Sequence, residues 1–184
     1  VWAGTEPGAI FRSPDRGETF DLVRGLWDHP HRQEWNAGFG GQAFHTILPH
    51  PTDPQSVTAA ISTGGVYQTT DGGASWTELS GLRKHDTGPQ WQPGAGGLCL
   101  HTILIDPKNP KRMFVAISAA GAFRTDDGGE SWKPINKGLV SDGIPDGEAE
   151  VGHCVHRIAF HATNPNTLFM QKHWDVMRSD DGGD

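Results

Sequence analysis

The chain has 184 residues, enough for one domain with a core, and combines 25 Gly and 13 Pro with a hydrophobic share of only 35%. That balance argues against a helical bundle and suits many short strands joined by turns. A net charge of −7 without a basic run excludes a nucleic-acid footprint, and no apolar stretch reaches the about 20 residues of a membrane-spanning helix.

In chain order, VWAGTEPGAIF (Val1–Phe11) already reads as strand and turn, with Val1 corresponding to Val57 of a later unit. The first of four acidic turns follows, SPDRGETF at Ser13–Phe20. The others are TTDGGASW (Thr69–Trp76), TDDGGESW (Thr125–Trp132) and the closing RSDDGGD (Arg178–Asp184). Their aspartates, Asp15, Asp71, Asp127 and Asp181, lie 56, 56 and 54 residues apart. WNAGFGGQAFHTILPHPTDP from Trp35 matches WQPGAGGLCLHTILIDPKNP from Trp91 at the same offset, and GHCVHRIAFHATNP from Gly152 is a third copy. A period of this length marks one supersecondary unit per repeat.

Each unit parses alike. HTIL (His45–Leu48) and HTILI (His101–Ile105) are short apolar strands closed by PTDP and PKNP turns. VTAAIS or MFVAIS comes next, then a Gly-containing turn, VYQTT or AFRTD, the acidic turn, and a strand such as SWTELS. Four strands per unit and no helical periodicity predict an all-β chain, a β-propeller of four-stranded antiparallel blades. The units are 1–26 (partial), 38–81, 94–137 and 151–184 (partial). A closed propeller takes about 4–8 blades. The expectation is therefore a fragment of about three to three and a half blades, with the remaining blades as its partners and Ser or Thr, then Trp, due after Asp184.

The acidic turn has a local purpose. The carboxylate of Asp71 and the hydroxyl of Thr69 can bond the turn's own backbone, Gly73 supplies a positive φ, and Trp76 packs against the blade. Asp15 and Gly17, Asp127, Gly129 and Trp132, and Asp181 and Gly183 take the same structural parts in their units. The pattern S/T-x-D-x-G-x-S/T-W/F resembles the Asp-box, or BNR repeat, of sialidase-like propellers, and the resemblance runs through essentially the whole chain. The DGG-type boxes also look like those of sortilin-type receptors, xyloglucan-cleaving hydrolases, photosystem II assembly factors and bacterial proteins labelled exo-alpha-sialidase or glycosyl hydrolase repeat proteins. The resemblance implies the fold and leaves function open.

A ligand site is expected where the loops entering the inner strands meet the turns between second and third strands. The connection from Trp76 to His101 has 24 intervening residues, long for a structureless loop. These connections carry Trp27, His29, His31, Trp35, His85, Trp91, Asp142, Glu150 and His153. Each inner strand then opens with a histidine, His45, His101 or His156, set against Ser62, Ser118 and His173 at the second-strand ends. His173, Trp174 and Asp175 depart from the STGG and SAAG of the equivalent turns. The candidate ligand-binding residues are thus Trp35, His45, Trp91, His101, His153, His156, His173 and Trp174, with Glu150 and Asp175 as weak catalytic candidates.

Two alternatives compete for the repeated histidines: a ligand face, or hydrogen bonding to the neighbouring Gly-rich loop. Without a motif such as HExxH, neither metal nor other cofactor is expected. Cys99 and Cys154, two residues before inner-strand histidines, read as packing residues, or as a disulfide if the blades approach closely, and leave the compartment open. The functional expectation is a propeller face that binds a glycan or protein; the alternative is a glycoside hydrolase acting at the same face. A sialidase is disfavoured, because Tyr67, the sole tyrosine, aligns with the core positions Phe11, Phe123 and Met177.

Overall fold

A computed structural model describes residues 1–36, 41–91 and 97–184. The starts assigned to the second and third units, 38 and 94, lie outside the described residues.

The first sheet holds β1 (Trp2–Gly4), β2 (Ile10–Arg12) and β3 (Asp21–Leu22). The second is a meander of β4 (Phe44–Pro49), β5 (Val57–Ile61), β6 (Gly65–Thr69) and β7 (Thr77–Glu78). The third repeats it with β8 (Leu100–Asp106), β9 (Asn109–Ile117), β10 (Gly121–Thr125) and β11 (Lys133–Pro134). The fourth contains β12 (Val155–His161), β13 (Asn164–Lys172) and β14 (Val176–Ser179). All pairings are antiparallel, and the four sheets are successive blades of a partial β-propeller.

The blades stack through both faces of their middle strands. Side chains alternate across a strand, so Met113, Val115 and Ile117 of β9 join a core shared with the second blade, around Val66 and Leu82. Phe114 and Ala116 turn the other way, toward Val155, Ile158 and Leu168 of the fourth blade. Burial on both faces is why this strand reads as an unbroken apolar run; burying a Phe114-sized side chain contributes about 1.5–3 kcal/mol. Polar stitches continue the stacking along the inner strands: Thr46 Oγ1 donates to the His101 carbonyl at 2.9 Å, and Thr102 Oγ1 to that of His156 at 3.1 Å.

Every acidic turn is closed by short-range bonds. Asp71 Oδ1 accepts from the Thr69 hydroxyl at 2.7 Å and the Ser75 amide at 2.9 Å, while Oδ2 accepts from the Ser75 hydroxyl at 2.5 Å. Thr69 Oγ1 in turn accepts from the Gly73 amide at 2.9 Å. Asp127 repeats the set with Thr125 and Ser131, and Asp15 with Ser13 and Thr19. In all three turns the donated hydroxyl of the following Ser or Thr, and then its amide, hold the carboxyl far below the usual carboxylate range. Gly17, Gly73, Gly129 and Gly183 adopt φ between +86° and +102°, a region that a Cβ penalises. Trp76 and Trp132 are buried beneath their turns.

The seam between the second and third blades is backbone against backbone. A Cβ on Gly81 would sit 2.3 Å from the carbonyl oxygen of Glu130, in the next blade's acidic turn. Gly25 stands in the same relation to Ala74, also at 2.3 Å.

Two features depart from the sequence expectation. The outermost strands β3, β7 and β11 are only two residues long; Trp76 and Trp132 before the last two are buried, whereas Phe20 before β3 is exposed. The long connections also contain a helical turn at Arg24–Trp27 and 3-10 turns at Pro30–Glu34 and Gly88–Gln90. Pro30 is the first residue of one and Pro89 the second of the other, positions in the first turn where a missing N–H costs no helical hydrogen bond. Among the described residues no helix is long and apolar enough to cross a membrane.

Candidate functional site

The repeat brings the inner-strand histidines into one row. Ring centroids are 4.8 Å apart for His45 and His101, 4.9 Å for His101 and His156, and 4.7 Å for His156 and His173. Trp174 extends the row at 6.1 Å from His173, with 85% of its surface exposed. Blade stacking sets the spacing: each new inner strand adds one imidazole beside the last.

Much of the Gly-rich loop expected to bond these histidines, 37–40 and 92–96, lies outside the described residues; the partners described are serines. His45 Nε2 meets Ser62 Oγ at 2.6 Å and His101 Nε2 meets Ser118 Oγ at 2.7 Å, each serine ending the second strand of the same blade. Packing withdraws water from His45, His101 and His156 and favours their neutral rings. His101 is lowered to about 4, first by burial and then by His45 and His156. His45 is lowered by burial and by Arg157, and His156 by burial and by His173.

The fourth blade breaks the pattern. His173 replaces the serine, and Cys154 Sγ lies 3.5 Å from His156 Nε2 and 3.6 Å from His173 Nε2. Lys172 stands where the regular blades have Ile61 and Ile117, yet it is buried. Its ammonium donates to the Val140 carbonyl and lies 3.6 Å from Asp175 Oδ2, which offsets part of the cost of burying a charge. Lys172, His173, Trp174 and Asp175 line a cleft of about 480 Å³ together with Asp142 and Cys154.

Other predicted residues lie elsewhere. Trp35, expected to bind a ligand, is not exposed for it: the indole is buried in the core of the first two blades, with Nε1 donating to the Tyr67 hydroxyl at 3.0 Å. Tyr67 is itself fully buried. His153 is enclosed too, with Nε2 donating to the Ala149 carbonyl at 2.7 Å and Nδ1 accepting from Ser141 Oγ at 2.8 Å, so its ring ties down the loop before β12. Trp91 is half-buried against Phe123, bonded to Thr87 Oγ1 at 3.0 Å, and lines a separate cleft of about 410 Å³. Glu150 faces a different cavity from Asp175, alongside Glu148 and Lys137, so these two carboxylates do not form one pair. Cys99 is buried, Cys154 is half-buried, and the two are not joined by a disulfide.

Sequence reasoning missed Lys172 and the contact of Cys154 with two imidazoles. The signal for the first was available: one lysine at a position that is isoleucine in both regular units.

The geometry has counterparts among known proteins. An ancestral GH74 enzyme superposes on the whole chain with a TM-score of 0.62 and 17% identity, and the GH74 enzyme of Niastella koreensis on 89% of it with a TM-score of 0.56 and 18% identity. The chain spans 21% and 22% of those two proteins. An oligoxyloglucan-reducing end-specific xyloglucanase of Emericella nidulans is 24% identical over 135 residues, covering 73% of this chain and 15% of the xyloglucanase. No protein-family model matches. At these identities the likeness establishes the β-propeller fold.

Proposed function

We propose that these blades form part of a glycan-binding propeller that takes its ligand at the histidine row and the adjoining cleft. One observation carries the reading: imidazoles in ring contact lead to an exposed indole, Trp174, at the lip of a cleft lined by Lys172, Asp142 and Asp175. Sugars present apolar C–H faces and many hydroxyls. An indole suits the former, while imidazole, ammonium and carboxylate groups suit the latter. The acidic turns are read as Asp-boxes that hold the blades, with no part in binding. Likeness to a protein named as a xyloglucanase adds support for a glycan over a protein ligand.

A second reading, glycoside hydrolysis, is favoured by the two carboxylates in that cleft, Asp142 and Asp175. Such chemistry needs carboxyl groups about 5–5.5 Å apart for retention or about 6.5–9.5 Å apart for inversion. Binding is tested on a panel of immobilised oligosaccharides that includes xyloglucan fragments. Retention that weakens about tenfold in Trp174→Ala supports the proposal, and failure to retain any glycan overturns it. Release of reducing ends that disappears in Asp175→Asn supports the hydrolytic reading.

A further inference from the structure

The fourth blade holds a constellation that the regular blades lack. The sulfur of Cys154 and one ring nitrogen each of His156 and His173 lie within 4.8 Å of one another. In a tetrahedral zinc site with Zn–S of about 2.3 Å and Zn–N of about 2.0–2.1 Å, the sulfur-to-nitrogen edge is about 3.6 Å. Both edges here, 3.5 and 3.6 Å, already have that length. The remaining nitrogen-to-nitrogen edge, within 4.8 Å here, is about 3.3 Å in such a site, so the exposed ring of His173 would have to swing inward as the ion binds.

Packing alone accounts poorly for this arrangement. In the second and third blades a serine hydroxyl serves the inner-strand histidine. In the fourth, two imidazole nitrogens converge on one sulfur, a weak donor and weak acceptor in place of the serine hydroxyl. Cys99 occupies the position equivalent to Cys154, but Ser118 stands where the fourth blade has His173 and bonds His101, so the third blade supplies one imidazole fewer. The substitution that distinguishes the fourth blade is thus the one that completes a set of three nitrogen and sulfur donors.

We infer that Cys154, His156 and His173 form a binding site for a thiophilic divalent cation, Zn²⁺ first, at the mouth of the cleft. A thiolate with two neutral imidazoles is a donor set that selects zinc-like ions over magnesium or calcium. Three protein ligands leave a fourth position for water or a ligand oxygen. The inference stands apart from the glycan reading, since cation binding is measured without a sugar.

The test is titration of the reduced 184-residue chain with Co²⁺, read by thiolate-to-cobalt charge-transfer absorption, and with Zn²⁺ by calorimetry. One ion per chain with a charge-transfer band is expected. Cys154→Ser should abolish the band, and His173→Ser should weaken binding at least about tenfold. Cys99→Ser should leave both unchanged. His173→Ser installs the residue that the regular blades use, and circular dichroism checks that it folds. Absence of the band in the parent chain, or a band that survives Cys154→Ser, overturns the inference. So does Zn²⁺ affinity unchanged in His173→Ser.

Discussion

The second-strand ends of the third and fourth blades occupy equivalent places and are built differently. The third ends Ile117, Ser118, Ala119: an apolar side chain in the core, a hydroxyl on His101, and a small residue at φ +64°. The fourth ends Lys172, His173, Trp174, Asp175: a buried cation, a ring against His156, an exposed indole and a carboxylate. The first arrangement completes a sheet. The second gives up apolar burial for polar groups around a cleft, and such local sacrifice is expected where a site has been grafted onto a repeat.

The largest test of this contrast exchanges the two ends. Ile117→Lys places an ammonium where no carboxylate has been provided, and a loss of about 3–5 kcal/mol is expected, as for an uncompensated buried charge. The reciprocal Lys172→Ile should be neutral or stabilising, because the isoleucine restores the regular core. Urea midpoints of both variants decide it, and equal losses would erase the distinction.

Next comes the seam. Gly81→Ala should cost about 1–3 kcal/mol, since the new methyl meets the Glu130 carbonyl and main chain must shift. Lys137 holds the corresponding place before the fourth blade, so Lys137→Ala should change the melting temperature far less.

Acid sharpens the comparison differently. Asp15, Asp71 and Asp127 have folded-state pKa values depressed by the hydroxyls and amides of their turns. Their stabilisation is complete above the unfolded-state value of about 4 and is lost as pH falls through it toward the folded-state values. Melting temperatures recorded from neutral pH downward should fall below about pH 4, and Asp71→Asn should flatten that slope. The smallest effect on stability belongs to Trp174→Ala, within about 0.5 kcal/mol because the indole is exposed, even though the same change is expected to weaken glycan retention.

The fold was legible because its signals are local or periodic. Asp71 and its partners Thr69 and Ser75 fall within a few residues, and the offset of 56 carries His45 to His101 without knowledge of the third dimension. The histidine row followed from that offset. What stayed hidden depends on contacts between distant residues. Trp35 reads as a loop tryptophan, yet the Tyr67 hydroxyl, 32 positions away, satisfies its indole and lets it be buried. The burial of Lys172 likewise rests on a distant contact, since the acceptor for its ammonium is the carbonyl of Val140, 32 positions away. Cys154 reads as packing until the turn after β13 brings His173 opposite His156.

Where Gly81 meets Glu130, the distance from one blade to the next is written in main-chain atoms. Side chains elsewhere can drift without altering that pitch, whereas one added methyl would act as a wedge at an outer corner. Tilting a blade there would part His45 from His101 at the mouth, so the register of the imidazoles is guarded by a residue that has no side chain.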